Sequence, residues 1–161
     1  MELSKEMANC LFKYKNGELY WDVFIGTKIQ PGRKAGSLDS KGYKRVKISQ
    51  KDYRIHRIIF LMHHGYLPKY VDHIDGNKLN NKIDNLREAT LSQNQYNKKL
   101  ACNNTSGIKG VYWSKQISRW VARCKVNGKN TQIGCFKDIE DAKREIEKFR
   151  EKLHGDFARH A

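Results

Sequence analysis

The chain lacks paired cysteines and long hydrophobic runs, and it has few acidic residues for its basic content. Its four cysteines include no Cys-x-x-Cys pair, so a structural zinc site is poorly supported. The longest apolar run, 58–62, is far too short to span a membrane, and no signal peptide is recognisable. These absences predict free thiols in a reducing cytoplasm and no membrane partner.

The shortage of acidic residues leaves a large positive charge. The 161 residues include 32 Lys and Arg against 17 Asp and Glu, a net charge of +15. A field of this size attracts polyanions, because Lys and Arg contacts to phosphate supply the sequence-independent part of nucleic-acid affinity. A merely solvated basic surface is the alternative, but the charge is patterned along the chain. We therefore expect nucleic acid as the partner and no small-molecule cofactor.

The first part of the chain is predicted to be rich in β-structure. Asn16–Gly17 is a strong hairpin-turn signal between two short apolar segments, and residues 24–42 carry the glycines and serines of a loop. The elements expected here are strands at 11–14, 19–23, 43–48 and 53–55, and a mostly buried helix at 56–64 that Gly65 and Pro68 end.

The next segment is predicted to run strand, loop, strand, helix. The strands are 70–74 and 86–89, and the helix begins at Thr90 or Ser92 and runs to about Lys98. The last segment is predicted to form three strands and a helix capped by Asp138. We therefore predict an α+β protein with domains at 1–98 and 107–161 joined by a linker at 99–106.

The loop segment concentrates oxygen-bearing side chains. Asp72 and His73 end its first strand, and a cluster of carboxamides returns toward them: Asn80, Asn81, Asn85, Asn94 and Asn97. Carboxylate and carbonyl oxygens suit Mg²⁺ or Mn²⁺, and a partly open site leaves room for water and phosphate. Adjacent strand residues face opposite ways, so the strand must end or bend here if both Asp72 and His73 serve one site.

Residues 71–97 resemble the HNH endonuclease motif of the ββα-metal type, especially its homing-endonuclease and phage branch. The resemblance implies that Asp72 is a metal ligand, His73 is the general base and Asn85 holds the loop that aims His73. Asn94 is the implied second metal ligand, with Asn97 as its rival three residues later on the same helix face. One divalent metal ion per active site, Mg²⁺ or Mn²⁺, is implied.

Several neighbouring residues permit a plainer interpretation. The remaining Asn and Asp side chains of the loop, Asn81 included, are expected to bond to backbone. Arg87 is expected either to clamp a DNA phosphate or to be an ordinary surface residue. The histidines at 56, 63 and 64 lack cysteine partners and are interpreted as core or surface residues. The regular acids of an EF-hand calcium loop are missing.

The C-terminal segment concentrates positive charge on its predicted sheet. Residues 107–137 contain seven Lys and Arg and no acids, whereas the following helix is nearly neutral. In the central strand, Arg119, Arg123 and Lys125 fall on one face, opposite Trp120 and its apolar neighbours. A basic face of this kind can enter the major groove of DNA.

Residues 107–157 resemble the ethylene-response-factor (APETALA-type) DNA-binding domain. The resemblance is carried by Gly107–Trp113, Arg119–Trp120, Ile133–Phe136, Ala142 and His154–Gly155. It implies a three-stranded antiparallel sheet packed on one helix, with Trp113 and Trp120 in the core. The residues that would face DNA are Lys109, Tyr112, Arg123, Lys125 and Gln132. Plant members differ at some of these positions, which leaves the target sequence open.

Together these features predict a two-domain homing-type endonuclease that cuts or nicks double-stranded DNA. A monomer would nick one strand, whereas a homodimer could cut both. If a phage or mobile element encodes the chain, the site of action is the cytoplasm of a bacterial host. The alternative from another class is a non-catalytic, sequence-specific DNA-binding protein, which shares the basic sheet but does not need Asp72 and His73 together.

Overall fold

The computed structural model describes residues 3–97, 100, 104–126 and 128–158. They form two compact units, of which the first ends at Thr90 and the second begins at Leu91. The predicted linker lies partly outside the described residues, and the predicted domain boundaries stay predictions. Mixed helices and small antiparallel sheets confirm the predicted α+β class. None of the helices formed by the described residues is long and apolar enough to cross a membrane.

The first unit contains two helices, seven strands and one short 3₁₀ turn. In chain order these are α1 (Lys5–Leu11), β1 (Phe12–Lys15), β2 (Glu18–Trp21), β3 (Ser37–Leu38), β4 (Lys44–Ile48), β5 (Lys51–Arg54), α2 (Ile55–His64), β6 (Tyr70–His73), the 3₁₀ turn (Ile83–Asn85) and β7 (Leu86–Ala89). The strands pair antiparallel as β1–β2, β3–β4–β5 and β6–β7.

The hairpin β1–β2 forms at the predicted turn. Lys15 pairs with Glu18, and Asn16 and Gly17 both have positive φ, 48° and 82°. Positive φ at both central residues is what a tight hairpin with the right strand twist requires, and Asn-Gly meets it with least strain. The predicted N-terminal hairpin is therefore confirmed.

Helix α1 precedes the predicted strands of the β-rich N-terminal segment and was not predicted. It begins after Ser4, whose hydroxyl accepts a hydrogen bond from the N–H of Met7 at 3.2 Å. Its Ala8 is fully buried, and the helix packs against α2. The N-cap and this burial stabilise a helix of only seven residues.

Helix α2 is the centre of the first unit. It packs against strands β2, β4, β5, β6 and β7, and Ile55, Ile58 and Ile59 are at most 1% exposed. Burial of each such side chain contributes roughly 1.5–3 kcal/mol. The helix ends at Gly65, whose left-handed conformation lets its N–H bond the Leu61 carbonyl. Because β5 leads directly into α2 and β6 lies against it, the helix fixes the strand that carries the candidate site.

The second unit is built from three strands and two helices, with a 3₁₀ turn at its end. These are α3 (Leu91–Tyr96), β8 (Val111–Ser114), β9 (Arg119–Val126), β10 (Lys129–Phe136), α4 (Ile139–His154) and the turn Gly155–Phe157. The sheet is antiparallel with strand order β10–β9–β8, and α4 packs on it. The core consists of Val111, Ala122, Ala142 and Ile146. The predicted three-stranded sheet on one helix is therefore confirmed.

Candidate active site

Asp72 and His73 lie at the buried end of β6. Asp72 is 6% exposed and His73 is 4% exposed. Strand β6 ends at His73, where a turn begins in which the Gly76 N–H donates to the His73 carbonyl at 2.8 Å. Across the hairpin, Asp72 pairs with Arg87 and His73 with Leu86. Because successive strand residues point to opposite faces, the carboxylate and the imidazole start from different surroundings. The turn that follows His73 is the place where the chain can bend so that the carboxylate and the imidazole both reach one substrate.

Asn81 contacts His73 directly. Its Oδ1 lies 2.9 Å from the His73 Nε2, and the residue is 1% exposed. Its Nδ2 is buried and has no hydrogen-bond partner in the described part of the chain. The expectation that Asn81 only bonds loop backbone is therefore wrong. No local pattern reveals this role, because the contact exists only after the loop has folded back over β6.

Two aromatic side chains of the first unit, His56 and Tyr43, lie close to the His73 ring. The His56 ring centroid is 4.8 Å from that of His73, at an interplanar angle of 60°, and the Tyr43 centroid is 6.1 Å away. Burial lowers the pKa of His73, while the bond to Asn81 and the nearby Asp72 carboxylate partly offset this effect. The net pKa lies below its usual value, so the imidazole is neutral near pH 7 and can accept a proton.

His56 is a core histidine. It is 3% exposed, and burial, followed by the charge effect of His73, lowers its pKa to about 3. His63 and His64 are exposed on the same helix. No three His, Cys, Asp or Glu side chains converge as a metal site among the residues that the structure describes. His56 therefore agrees with the predicted core histidine, and His63 and His64 agree with predicted surface histidines.

Asn85 ties together the loop that follows His73. Its Oδ1 accepts the N–H of Asp75 at 3.0 Å, and its Nδ2 donates to Asp75 Oδ1 at 2.9 Å and to the Asn80 carbonyl at 2.7 Å. Burial alone would raise the pKa of Asp75, but hydrogen bonds from Asn80, the Asn77 backbone and Asn85 lower it below its ordinary value. Asp75 is therefore a charged anchor of the loop, held by hydrogen bonds from both Asn80 and Asn85.

Arg87 lies against Asp72 on the neighbouring strand. Its Nη2 and Nε are 3.2 Å and 3.3 Å from Asp72 Oδ2, and the two side chains are 16% and 7% exposed. This direct cross-strand pair follows from the β6–β7 register. The structure thus connects Arg87 to the candidate ligand Asp72.

The two candidates for the third site position lie at the end of α3. Asn94 is partly buried on the helix, and Asn97 is 5% exposed just after it, with its N–H on the Gln93 carbonyl at 3.2 Å. Residues three apart share a helix face. Helix α3 belongs to the second unit, and the choice between Asn94 and Asn97 stays a prediction.

Sequence comparison with known proteins identifies the family of this chain. Residues 53–96 match the family model for HNH endonucleases. Protein 3.8 of Escherichia phage T7 is 39% identical over 121 residues, which are 74% of this chain and 97% of that protein. The chain belongs to the HNH endonuclease family.

Other relatives carry the family name. An uncharacterized HNH endonuclease, L560, of Acanthamoeba polyphaga mimivirus is 39% identical over 124 residues, which are 75% of this chain and 63% of that protein. The SPbeta prophage-derived putative HNH homing endonuclease YosQ of Bacillus subtilis is 35% identical over 78 residues, 45% of this chain and 45% of that protein. No solved structure matches the chain.

Membership of the HNH family makes this protein a nuclease and DNA its substrate. HNH nucleases generally depend on a divalent metal. The Asp72 carboxylate is an oxygen donor of the kind that suits a hard cation such as Mg²⁺. The family match covers β6, β7 and α3 and ends at residue 96, so it does not include the sheet of the second unit.

The second unit of this HNH protein presents one basic face of its sheet. Cross-strand pairing places five predicted DNA contacts on that face: Tyr112, Arg119, Arg123, Lys125 and Gln132. The Arg123 Nη2 donates to the Tyr112 hydroxyl at 2.8 Å, and its guanidinium lies 5.2 Å from the ring. Lys109 precedes β8 in a turn. The opposite face carries Ala122, which is fully buried in the core formed with α4.

Trp113 of this sheet differs from expectation, and Val121 adds an apolar residue to its basic face. Trp113 was predicted to be core but is 44% exposed, because it lies on the edge strand β8, where it pairs with Trp120 at 5.1 Å between ring centroids. Val121 lies on the basic face yet is 2% exposed, with Tyr112 and Cys135 as its cross-strand neighbours. The basic face therefore has an apolar centre surrounded by cationic and polar side chains.

Proposed function

We propose that this HNH protein is a homing-type endonuclease that hydrolyses a DNA phosphodiester, with His73 as the general base. The observation that carries the proposal is the buried imidazole at the end of β6, bonded to Asn81 and next to the Asp72 carboxylate. This group lies within the segment that matches the family. It supplies a neutral proton acceptor where the loop pinned by Asn85 meets the strand.

In the proposed reaction, His73 accepts a proton from a water molecule whose oxygen attacks the scissile phosphorus. The bond from phosphorus to the 3′ oxygen then breaks. Because burial lowers the pKa of His73, most of the imidazole is in the required neutral form near pH 7. The bonds of Asn85 to the loop support its proposed role of keeping His73 aimed at the phosphate.

Asp72 and Asn94 are the proposed holders of one Mg²⁺ or Mn²⁺ ion, with Asn97 as the rival to Asn94. When bound, such an ion neutralises charge on the phosphate and on the leaving oxygen. Arg87 is a proposed phosphate contact, since its cationic guanidinium lies beside the proposed ligand Asp72.

The second unit is proposed to position the enzyme on double-stranded DNA, in the manner of an ethylene-response-factor domain. The support is a three-stranded antiparallel sheet with one helix on its apolar face, and a basic opposite face that a major groove can accept. The proposed contacts are Lys109, Tyr112, Arg119, Arg123, Lys125 and Gln132. The T7 phage and SPbeta prophage relatives support the cytoplasm of a bacterial host as its place of action.

The test is cleavage of supercoiled plasmid in Mg²⁺ or EDTA, with open-circle and linear products resolved. We expect His73→Ala to abolish cleavage in Mg²⁺ while DNA binding stays near the wild-type level. His64→Ala removes an exposed histidine outside the site and is the control. Circular dichroism confirms that each variant is folded. Full residual cleavage by folded His73→Ala would overturn the assignment.

The same assay separates the remaining alternatives. Open circles alone indicate a nicking monomer, and linear product formed in one event indicates paired active sites. Asn94→Ala and Asn97→Ala distinguish the rival ligands, because loss of a true ligand raises the Mg²⁺ concentration required for half-maximal cleavage. DNA binding by the wild-type protein without cleavage in Mg²⁺ or Mn²⁺ would favour the non-catalytic alternative.

A further inference from the structure

Tyr43 links the candidate base to the surface of the first unit. Its partly buried ring lies 6.1 Å from the His73 ring and 5.3 Å from the His56 ring, between centroids. Its backbone N–H bonds Asp39 Oδ1 at 2.9 Å, which fixes the residue at the start of β4. A side chain that rests on Tyr43 is therefore held at a defined position next to the active site.

Two cations rest on the Tyr43 ring. The Arg54 guanidinium carbon is 4.2 Å from the ring centroid, and the Lys78 Nζ is 4.8 Å from it. Lys78 comes from the loop that follows His73, and its ammonium also donates to the Lys41 carbonyl at 2.8 Å. Most exposed lysines lose considerable side-chain entropy when they are fixed on binding. Lys78 is already oriented by a ring and a carbonyl, so less entropy remains to be lost.

The charge of Lys78 is not neutralised by the described part of the protein. Arg54 has the Asp39 carboxylate at 3.7 Å, whereas no described residue forms an ion pair with Lys78. Lys78 is exposed, and its ammonium rests on the Tyr43 ring, which lies 6.1 Å from the His73 ring between centroids. An oriented, uncompensated ammonium beside the base has the chemistry to bind an anion.

We propose that Lys78 binds a backbone phosphate of the cut DNA strand, adjacent to the scissile phosphate, and that Tyr43 positions it there. The inference rests on the proposed function, because His73 defines where the scissile phosphate lies. Lys78 is a substrate contact in this scheme, and Tyr43 acts only through it. Arg54 on the same ring adds positive charge that a bound phosphate offsets.

The test measures whether the Lys78 side chain and one particular DNA phosphate contribute to the same binding contact. A duplex with a mapped cut carries a neutral methylphosphonate at single positions around the scissile phosphate, and affinity is measured in EDTA so that no cleavage occurs. The wild-type protein should lose roughly tenfold in affinity when the partner phosphate is neutralised. Lys78→Ala should bind the unmodified duplex equally weakly and show no further loss at that position. Tyr43→Phe should keep the coupling, and Tyr43→Leu should weaken it.

Lys82→Ala is the matched control, because it removes an exposed lysine of the same loop. It should keep the wild-type methylphosphonate profile. Log affinity decreases linearly with log salt concentration. Relative to the wild type, the magnitude of this slope should decrease by about 0.9 more in Lys78→Ala than in Lys82→Ala. An unchanged profile in Lys78→Ala, or a coupled phosphate remote from the cut, overturns the proposal. Cleavage by His73→Ala would instead overturn the proposed function and leave this coupling intact.

Discussion

At the scale of single residues, the key contact is the one between His73 and Asn81. A carbonyl oxygen can only accept a hydrogen bond, so an Asn81 Oδ1 at 2.9 Å requires a proton on the His73 Nε2. In the neutral imidazole the lone pair then lies on Nδ1. The His56 ring, edge-on at 4.8 Å, limits rotation of the imidazole. For the proposed role of His73 as general base, these contacts favour Nδ1 as the atom that accepts the proton.

Replacing Asn81 should therefore impair the base without removing it. Asn81→Leu has a similar volume but no acceptor, so His73 loses its preferred tautomer and orientation. We expect the cleavage rate to fall on the order of 10²-fold. Plasmid nicking measures the rate, and the ¹⁵N chemical shifts of the His73 ring report the tautomer in the metal-free protein.

Asn81→Asp is the companion variant, because it retains an oxygen acceptor at the same position. It should keep the His73 proton on Nε2 and recover much of the lost rate. A merely structural role for Asn81 predicts lower stability in Asn81→Leu with unchanged ring shifts. Wild-type shifts and rate in the leucine variant would contradict the assignment of Nδ1 as the base.

At the scale of elements, the β1–β2 hairpin supports the loop that carries Asn81. A Cβ at Gly17 would lie 2.8 Å from the Lys82 N and 3.0 Å from the Asn81 carbonyl carbon. The Tyr14 hydroxyl, on β1, accepts the Ile83 N–H at 3.1 Å. The hairpin turn thus touches the backbone next to Asn81, and its position determines where Asn81 meets His73.

Gly17→Ala should consequently reduce both stability and cleavage. The substitution strains a residue at φ 82° and pushes the 81–82 backbone away. We expect a loss of about 1–3 kcal/mol in the free energy of unfolding, measured by urea titration. Cleavage should fall further than stability alone explains, when both are measured under conditions in which the protein is fully folded.

Gly32→Ala provides the matched control. Gly32 has nearly the same φ, 83°, but nothing lies within 4 Å of its added Cβ. It should show only the cost of backbone strain, about 1–2 kcal/mol, and keep wild-type cleavage when folded. Equal cleavage by the two variants would show that the hairpin does not support the active site.

These elements also show what local sequence predicts. The Asn16–Gly17 turn and the alternation in β9 are local signals, and the structure follows both. The two-residue strand β3 was predicted as loop, because Ser37 and Leu38 become a strand only by pairing with β4. Helix α1 was missed although Ser4 is a good cap, since the flanking apolar residues also fit strands.

The residues of the candidate site likewise fall into those that the sequence indicates and those that only the folded structure reveals. Asp72, His73 and Asn85 stand out by residue type and spacing, and the structure places them on one hairpin and its loop. The roles of Asn81 and Lys78 depend on contacts with His73 and Tyr43, which the folded loop creates. Such contacts join positions with no common periodicity, so sequence alone does not indicate them.

Helix α2 gives the first unit a pH-dependent stability. Burial lowers the pKa of His56 to about 3, below the value of about 6.5 in the unfolded chain. Below pH 6.5 the unfolded state therefore binds more protons, and stability decreases as the pH falls toward 3. We expect a decrease of up to about 1.4 kcal/mol in the free energy of unfolding per pH unit in this window. Urea unfolding between pH 7.5 and 5 measures it.

A pair of variants isolates the contribution of His56. His56→Gln removes the buried imidazole, so its free energy of unfolding should fall less steeply with pH than that of the wild type. His64→Gln removes an exposed imidazole from the same helix and should follow the wild-type curve. If His56→Gln also follows the wild-type curve, protonation of His56 does not drive the pH dependence.

At the scale of the whole molecule, the net charge of +15 is unevenly distributed. On α4, cations form i,i+3 pairs with acids, such as Lys143 with Glu140 and Lys148 with Glu145. The basic face of the sheet contains no acids at all. The sheet, and not the helix, is therefore the part of the second unit that we propose attracts DNA, while the proposed base and the proposed carboxylate ligand lie in the first unit.

Two double variants that remove the same amount of charge test this division of roles. Arg123→Ala with Lys125→Ala should weaken DNA binding and lower the salt slope by about 0.9 for each phosphate that is no longer neutralised. Lys143→Ala with Lys148→Ala should leave the slope unchanged, because these lysines lie on the helix that packs against the other face.

Affinity is measured in EDTA at several salt concentrations, and cleavage at saturating DNA. The sheet variant should keep the wild-type cleavage rate at saturation, since His73 is untouched. Equal slopes for both pairs would show that net charge alone governs binding, and a lower saturated rate in the sheet variant would give the second unit a part in the chemical step.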